Sequence, residues 1–85
     1  VQTASNAMLL VKQGSDASAA RRYDEAVAKF DEALRLTPTF ARAIYLRGLA
    51  KKEKQDFDGS KVDFEAAAAL DPSAGYDAEL STIYE

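Results

Sequence analysis

The chain has 85 residues and a net charge of −3, with 11 Lys/Arg against 14 Asp/Glu and neither cysteine nor histidine. Those absences exclude disulfides, thiolate metal sites and the commonest general base and metal ligand. No apolar run reaches the about 18 residues of a membrane span, and a chain this short buries only about 60–65% of its unfolded surface in one small core.

The expected elements, in chain order, are all helical. The first helix covers residues 4–20, with Thr3 or Ser5 as cap and a stripe of Ala7, Leu10, Gly14 and Ala17 at spacings of three and four. After a turn at Arg21 and Arg22, the second covers 23–36. Asp24 and Glu25 stand in its first turn, where negative charge meets the helix dipole favourably, and its stripe is Ala26, Phe30, Ala33 and Leu34. Thr37-Pro38-Thr39 stops it, because proline restricts the residue before it. The third helix covers 39–55, with Ile44 and Gly48 inward. Asp56 caps the fourth, 57–70, whose first turn is weakened by Gly59 and Ser60. Asp71-Pro72 repeats the stop, and a fifth helix at 74–84 carries Tyr76, Leu80, Ile83 and Tyr84 on one stripe.

These elements repeat at one fixed offset. Ala7 returns Ala41, Leu10 returns Ile44, Gly14 returns Gly48, Tyr23 returns Phe57 and Asp24 returns Asp58. Phe30 returns Phe64, Ala33 returns Ala67, Leu36 returns Leu70 and Pro38 returns Pro72. A fixed period of about 34 residues marks a stack of helical hairpins. In such a stack Gly14 and Gly48 stand where two helices approach closely, Ala26 and Ala33 do the same on the partner helix, and Phe30 and Phe64 fill the space between hairpins.

The matched sets Gly14, Tyr23, Ala26, Phe30, Ala33, Pro38 and Gly48, Phe57, Phe64, Ala67, Pro72 resemble the tetratricopeptide repeat, as do Tyr23-Asp24-Glu25-Ala26 and Leu70-Asp71-Pro72. The resemblance implies an all-α, right-handed stack of two hairpins plus a C-terminal capping helix in one domain over 1–85. Repeat one is 7–40, repeat two 41–74 and the cap 74–85. Two departures stand out: Ser60 where the family prefers alanine, and Lys51 where a large apolar residue is usual, its stem packing while its charge reaches water. Two repeats are fewer than the about three that stacks usually need, so the fifth helix must supply cover, or else another domain or another copy of the chain must.

The resemblance also implies a function: a protein–protein interaction module holding a partner peptide or tail in a concave groove lined by the first helix of each hairpin. Carried over by position, the lining is Val11, Lys12 and Ser15 from repeat one and Arg42, Tyr45, Leu46, Leu49 and Lys52 from repeat two. The residues expected to bind are Lys12, Arg42, Tyr45, Leu46, Leu49 and Lys52, with Tyr and Arg the types that most often carry binding energy. One subgroup clamps the acidic C-terminal tails of heat-shock chaperones with lysine and asparagine at places that here hold Val11, Ser15 and Leu46. Taken as the clamp's last repeat, the second hairpin offers Arg42 for a lysine but Leu46 for an arginine. The clamp is incomplete in either frame, although Ala43-Ile44-Tyr45-Leu46-Arg47-Gly48 is similar to the last repeat of immunophilin-type co-chaperones. A cytoplasmic co-chaperone-type adaptor is the expectation. Its alternatives are a stacking or self-association module without a peptide ligand, and an isolated or engineered repeat unit.

No chemistry is written in the chain. Asp24, Glu25, Asp31 and Glu32 are spaced as an exposed face, Asp63 and Glu65 likewise, and no calcium loop or phosphate cradle appears. Neither catalytic residues, nor a metal, nor a cofactor is expected. Charge is uneven: residues 1–54 sum to +4 and residues 55–85 to −7. The basic part is short and mixed, which argues against nucleic acid. It suggests weak self-association, the acidic last helix of one copy meeting Arg47, Lys51, Lys52 and Lys54 of another. The start at Val1 reads as a fragment or a processed chain.

Overall fold

The computed structural model describes residues 2–76. They form four α-helices, α1 (Gln2–Ala19), α2 (Tyr23–Leu36), α3 (Ala41–Glu53) and α4 (Phe57–Leu70), followed by a 3₁₀ turn at Pro72–Ala74. Helix α1 packs mainly on α2 and α3 on α4, while α2 joins the two hairpins by packing on α3. The result is the expected all-α stack of two hairpins.

The caps explain why the helices end where they do. Both hairpin turns close with the same motif, one repeat apart. Arg21 (φ 64°) and Gln55 (φ 68°) take the left-handed conformation just past α1 and α3. The amide after each reaches back across the turn, Arg22 N–H to the Ala17 carbonyl and Asp56 N–H to the Lys51 carbonyl, both at 2.8 Å. These are Schellman closures made without glycine. Helices α2 and α4 end alike, with Thr37 and Asp71 donating their amides to Ala33 and Ala67 at 2.9 Å before proline turns the chain.

Asp56 caps α4 as the sequence predicts, its Oδ1 accepting from the Gly59 amide at 3.1 Å. A Cβ on Gly59 would lie 2.5 Å from Asp56 Oδ2, so the glycine that weakens the first turn also makes room for the cap. Thr3 and Ser5 are not at the cap position, since α1 already includes both. Helix α3 is also shorter than expected. It starts at Ala41 because Phe40 is the N-cap, and it stops at Glu53 because Gln55 has left the helical region.

The core follows the small-residue stripes. Ala7, Val11, Ala17, Ala26, Phe30, Ala33, Ala43 and Ala50 form one buried cluster, with Leu10, Tyr23, Val27, Leu34, Phe40 and Leu46 packed around it. Phe30 and Phe64 are the largest buried side chains, both at 0% exposure. Each lies on a glycine: a Cβ at Gly14 would sit 2.5 Å from Phe30 Cε1, and one at Gly48 2.8 Å from Phe64 Cε1. The glycines are therefore the floor on which the rings rest.

Two buried positions on α4 depart from the apolar pattern. Ser60 is fully buried and its Oγ has no hydrogen-bond partner among the described residues. An unsatisfied hydroxyl costs about 1–3 kcal/mol, and alanine is also the better helix former. Ser60→Ala is expected to stabilise the chain by about 1–2 kcal/mol. That is a rise of several degrees in the melting midpoint at this size, read by circular dichroism. An unchanged or lower midpoint contradicts the account. Asp63, the other position, is a correction to the sequence reading. It is 2% exposed and not part of a solvated face.

The fifth helix is also revised where it can be followed. Its expected start at 74 falls in the 3₁₀ turn, and Gly75 (φ 76°) interrupts any helix there. The remainder, with Leu80, Ile83 and Tyr84, lies outside the described residues. Tyr76 nevertheless keeps the repeat. Its ring stacks on Tyr45 at 4.5 Å, and these two stand one repeat on from Arg42 and Val11, which share one hollow.

Candidate functional site

Helices α1 and α3 touch only lightly, and an open cleft lies between them. Two hollows make it up. The smaller, about 340 Å³, is lined by Met8, Val11, Lys12, Ser15, Phe40 and Arg42. The larger, about 520 Å³, lies at the end where α3 begins and α4 finishes; its walls include Met8, Phe40, Arg42, Leu70, Asp71 and Tyr76. Met8, Phe40 and Arg42 belong to both, so the hollows meet at Arg42.

The expected binding residues are not equally placed on this cleft. Lys12 and Arg42 are exposed and face it. Lys12 is held by Asp16 one turn along, at 3.3 Å. Arg42 makes no ion pair among the described residues. Tyr45 is half-buried between Phe64 (centroids 5.6 Å apart) and Tyr76, so its ring supports the wall as much as it offers a surface. Leu46 packs partly against the core. Leu49 lines a separate hollow at the far end of α3, with Tyr23 and Ala50, and Lys52 is half-buried. Val11 is 7% exposed and forms floor rather than rim. Arg42 with Lys12 is thus one cluster, and Leu49 stands apart from it.

Three other basic residues of α3 and its closing turn, Arg47, Lys51 and Lys54, are engaged elsewhere. Arg47 donates from Nε and Nη2 to Asp63 Oδ2 and Oδ1 at 3.0 and 2.8 Å, and from Nη1 to Asp31 at 2.7 Å. Lys51 Nζ approaches Asp63 at 3.2 Å, so its charge goes to Asp63 rather than to water as the sequence suggested. Lys54 pairs with Asp24. The Asp63 hydrogen bonds push the Arg47 pKa above the ordinary arginine range, against the opposing effect of burial. Arg47 and Lys51 therefore serve contacts within this chain, while the Lys54–Asp24 pair lies exposed at its surface. Sequence reasoning missed the network, though a signal existed. Asp63 sits in the period of Ser60, Phe64 and Ala67, an inward position, opposite an Arg-Lys pair one turn apart on α3.

The profile of the TPR repeat matches residues 10–55. This chain belongs to the TPR family. It is also 33% identical, over 72 residues, to the small glutamine-rich tetratricopeptide repeat-containing protein 2 of Saccharomyces cerevisiae. That match takes in 85% of this chain but only 21% of the yeast protein, so the chain spans about a fifth of that relative's length. TPR stacks are protein–protein interaction modules, and the cleft lies on the first helix of each hairpin, where the family carries its groove. Among the described residues no helix is long and apolar enough to cross a membrane, and no His, Cys, Asp or Glu cluster is arranged to hold a metal.

Proposed function

We propose that this TPR domain captures an extended, partly acidic peptide in the cleft between α1 and α3, acting as a co-chaperone-type adaptor within a cytoplasmic protein. The observation that supports it most directly is Arg42, an exposed guanidinium with no ion-pair partner among the described residues, placed where the two hollows meet. A guanidinium presents a planar fork of donors that matches a carboxylate, and one without an internal partner is available to an incoming anion. Lys12 adds a second cation on the same rim, Tyr45, Leu46 and Lys52 stand further along α3, and Leu49 offers a separate hollow at its far end. The full two-carboxylate clamp is not part of this proposal, because Val11, Ser15 and Leu46 lack the groups that it needs.

Binding is expected to be weak and to weaken further with salt, since exposed charges are screened within about 8–10 Å at physiological ionic strength. Titrating the ¹⁵N-labelled chain with a mixed library of acidic peptides should shift amides on α1 and α3, around Lys12 and Arg42. Shifts confined to α2 and α4 would refute the site.

A further inference from the structure

We infer that the larger hollow is a side-chain anchor pocket, and that the partner peptide carries a large apolar residue next to an acidic one. This rests on the peptide-binding reading above and adds to it the chemistry of the partner.

Three observations converge. The first is the exposure of the walls. Met8 is 64% and Leu70 46% exposed, and although they come from α1 and α4 both face this one hollow. Phe40 and Tyr76 complete an apolar surround, and Tyr76 is braced by its stack on Tyr45. The second is size. About 520 Å³ falls within the roughly 300–1,000 Å³ of sites that take small ligands and side chains. The third is charge. Of the two ionic groups that line the hollow among the described residues, Asp71 already accepts from the Ser73 hydroxyl at 2.9 Å, whereas Arg42 has no carboxylate partner. A carboxylate on Arg42 therefore sits at the boundary of the two hollows. From there the neighbouring residue of an extended chain reaches the apolar walls, since consecutive Cα atoms are only about 3.8 Å apart. Backbone flanking the pair runs on into the smaller hollow beside Val11 and Ser15.

The sequence alone does not show this pocket. Leu70 ends the second helix of repeat two and Tyr76 lies beyond that repeat, and the groove positions that the family resemblance implied include neither.

The test uses four capped glycine-serine octapeptides whose central pairs are Phe-Glu, Ala-Glu, Phe-Gln and Ala-Gln. Each is titrated to millimolar concentration into the ¹⁵N-labelled chain. Phe-Glu is expected to bind about tenfold tighter than Ala-Glu, the size of effect that burial of an aromatic side chain provides. Its shifts should centre on Met8, Phe40, Arg42, Leu70 and Tyr76. Leu70→Ser should erase the Phe-over-Ala preference and keep the Glu-over-Gln one; Arg42→Gln should do the reverse. Both side chains are solvent-exposed, and an unchanged melting curve confirms that the variants are folded; Met8→Ser serves in place of Leu70→Ser if that variant melts early. If Phe-Glu and Ala-Glu bind equally with shifts on α1 and α3, the anchor pocket is overturned and the peptide groove stands. If neither these peptides nor the acidic library shift any amide of α1 or α3, both are overturned.

Discussion

Phe64→Ala and Phe30→Ala are each expected to lower the stability of the chain by about 3–5 kcal/mol, the usual cost of emptying a buried aromatic site. A domain of this length has roughly 5 kcal/mol in total, so either substitution brings it to the edge of unfolding. The expected loss is at the upper end because neither site can collapse. One wall of each ring is bare glycine backbone, Gly14 under Phe30 and Gly48 under Phe64, and a helix backbone does not move in to fill a void. Both rings have 0% exposure, and the cluster around Phe30 is mostly alanine, too short to reach across. Lys29→Ala, on the same helix as Phe30, is the control and should change stability far less. Urea denaturation followed by circular dichroism reads the difference. If both Phe variants unfold at the parent's midpoint, the assignment of the buried stripe is wrong.

Much of this fold was legible because its determinants are local and are written twice. The repeat offset placed the stripes, glycines and prolines, and each reappears in the structure at a matching position. The Schellman turns at Arg21 and Gln55 obey the same offset but were not foreseen. Neither residue is glycine, and the left-handed backbone there is set by closure of the hairpin rather than by residue preference. The candidate site was less legible. Repeat logic pointed to positions on α1 and α3, but it could not tell which side chains there were already engaged or which stood apart. Tyr45 is spent partly on Tyr76 and Leu46 partly on the core, while Met8 and Leu70, read only as repeat positions or not at all, converge on a hollow. Asp63 was misread for the same reason. Its inward period with Ser60, Phe64 and Ala67 was legible, but its partners Arg47 and Lys51 lie on a different helix, across a hairpin turn, and a reading confined to α4 does not reach them.

Asp63→Ala is expected to cost about 3 kcal/mol, the second large effect. Asp63 is the hub that joins α4 to α3, with its side chain 3% exposed and both oxygens bound to Arg47. Its removal leaves Arg47 and Lys51, each 24% exposed, facing one another with only Asp31 to offset them among the described contacts. Breaking a buried ion pair by deleting one partner costs about 3–5 kcal/mol, because the surviving charge keeps its desolvation penalty. The lower figure applies here because both cations retain some contact with water. Asp31→Ala should cost no more than about 1 kcal/mol, since its carboxylate is 45% exposed and behaves as a surface partner. The raised pKa of Arg47 means that its share of this stability is fully present below the unfolded arginine pKa, so no loss is expected on the alkaline side of neutrality. Replacing Asp63 by Leu and Arg47 by Met together should recover most of what Asp63→Ala loses, because apolar pairs substitute well for buried ionic ones. Denaturation of Asp63→Leu, Arg47→Met and the double variant forms a cycle whose coupling energy measures the pair. A coupling indistinguishable from zero would mean that the Arg47–Asp63 pair does not hold α3 to α4. Binding should feel the same change. Arg47 and the proposed contacts Arg42, Tyr45 and Leu46 share α3, and Asp63 and Leu70 share α4, so loosening the network is expected to loosen the walls of the larger hollow as well. Asp63→Ala should therefore weaken peptide binding without touching the peptide, and the Leu/Met double variant should restore it in step with stability.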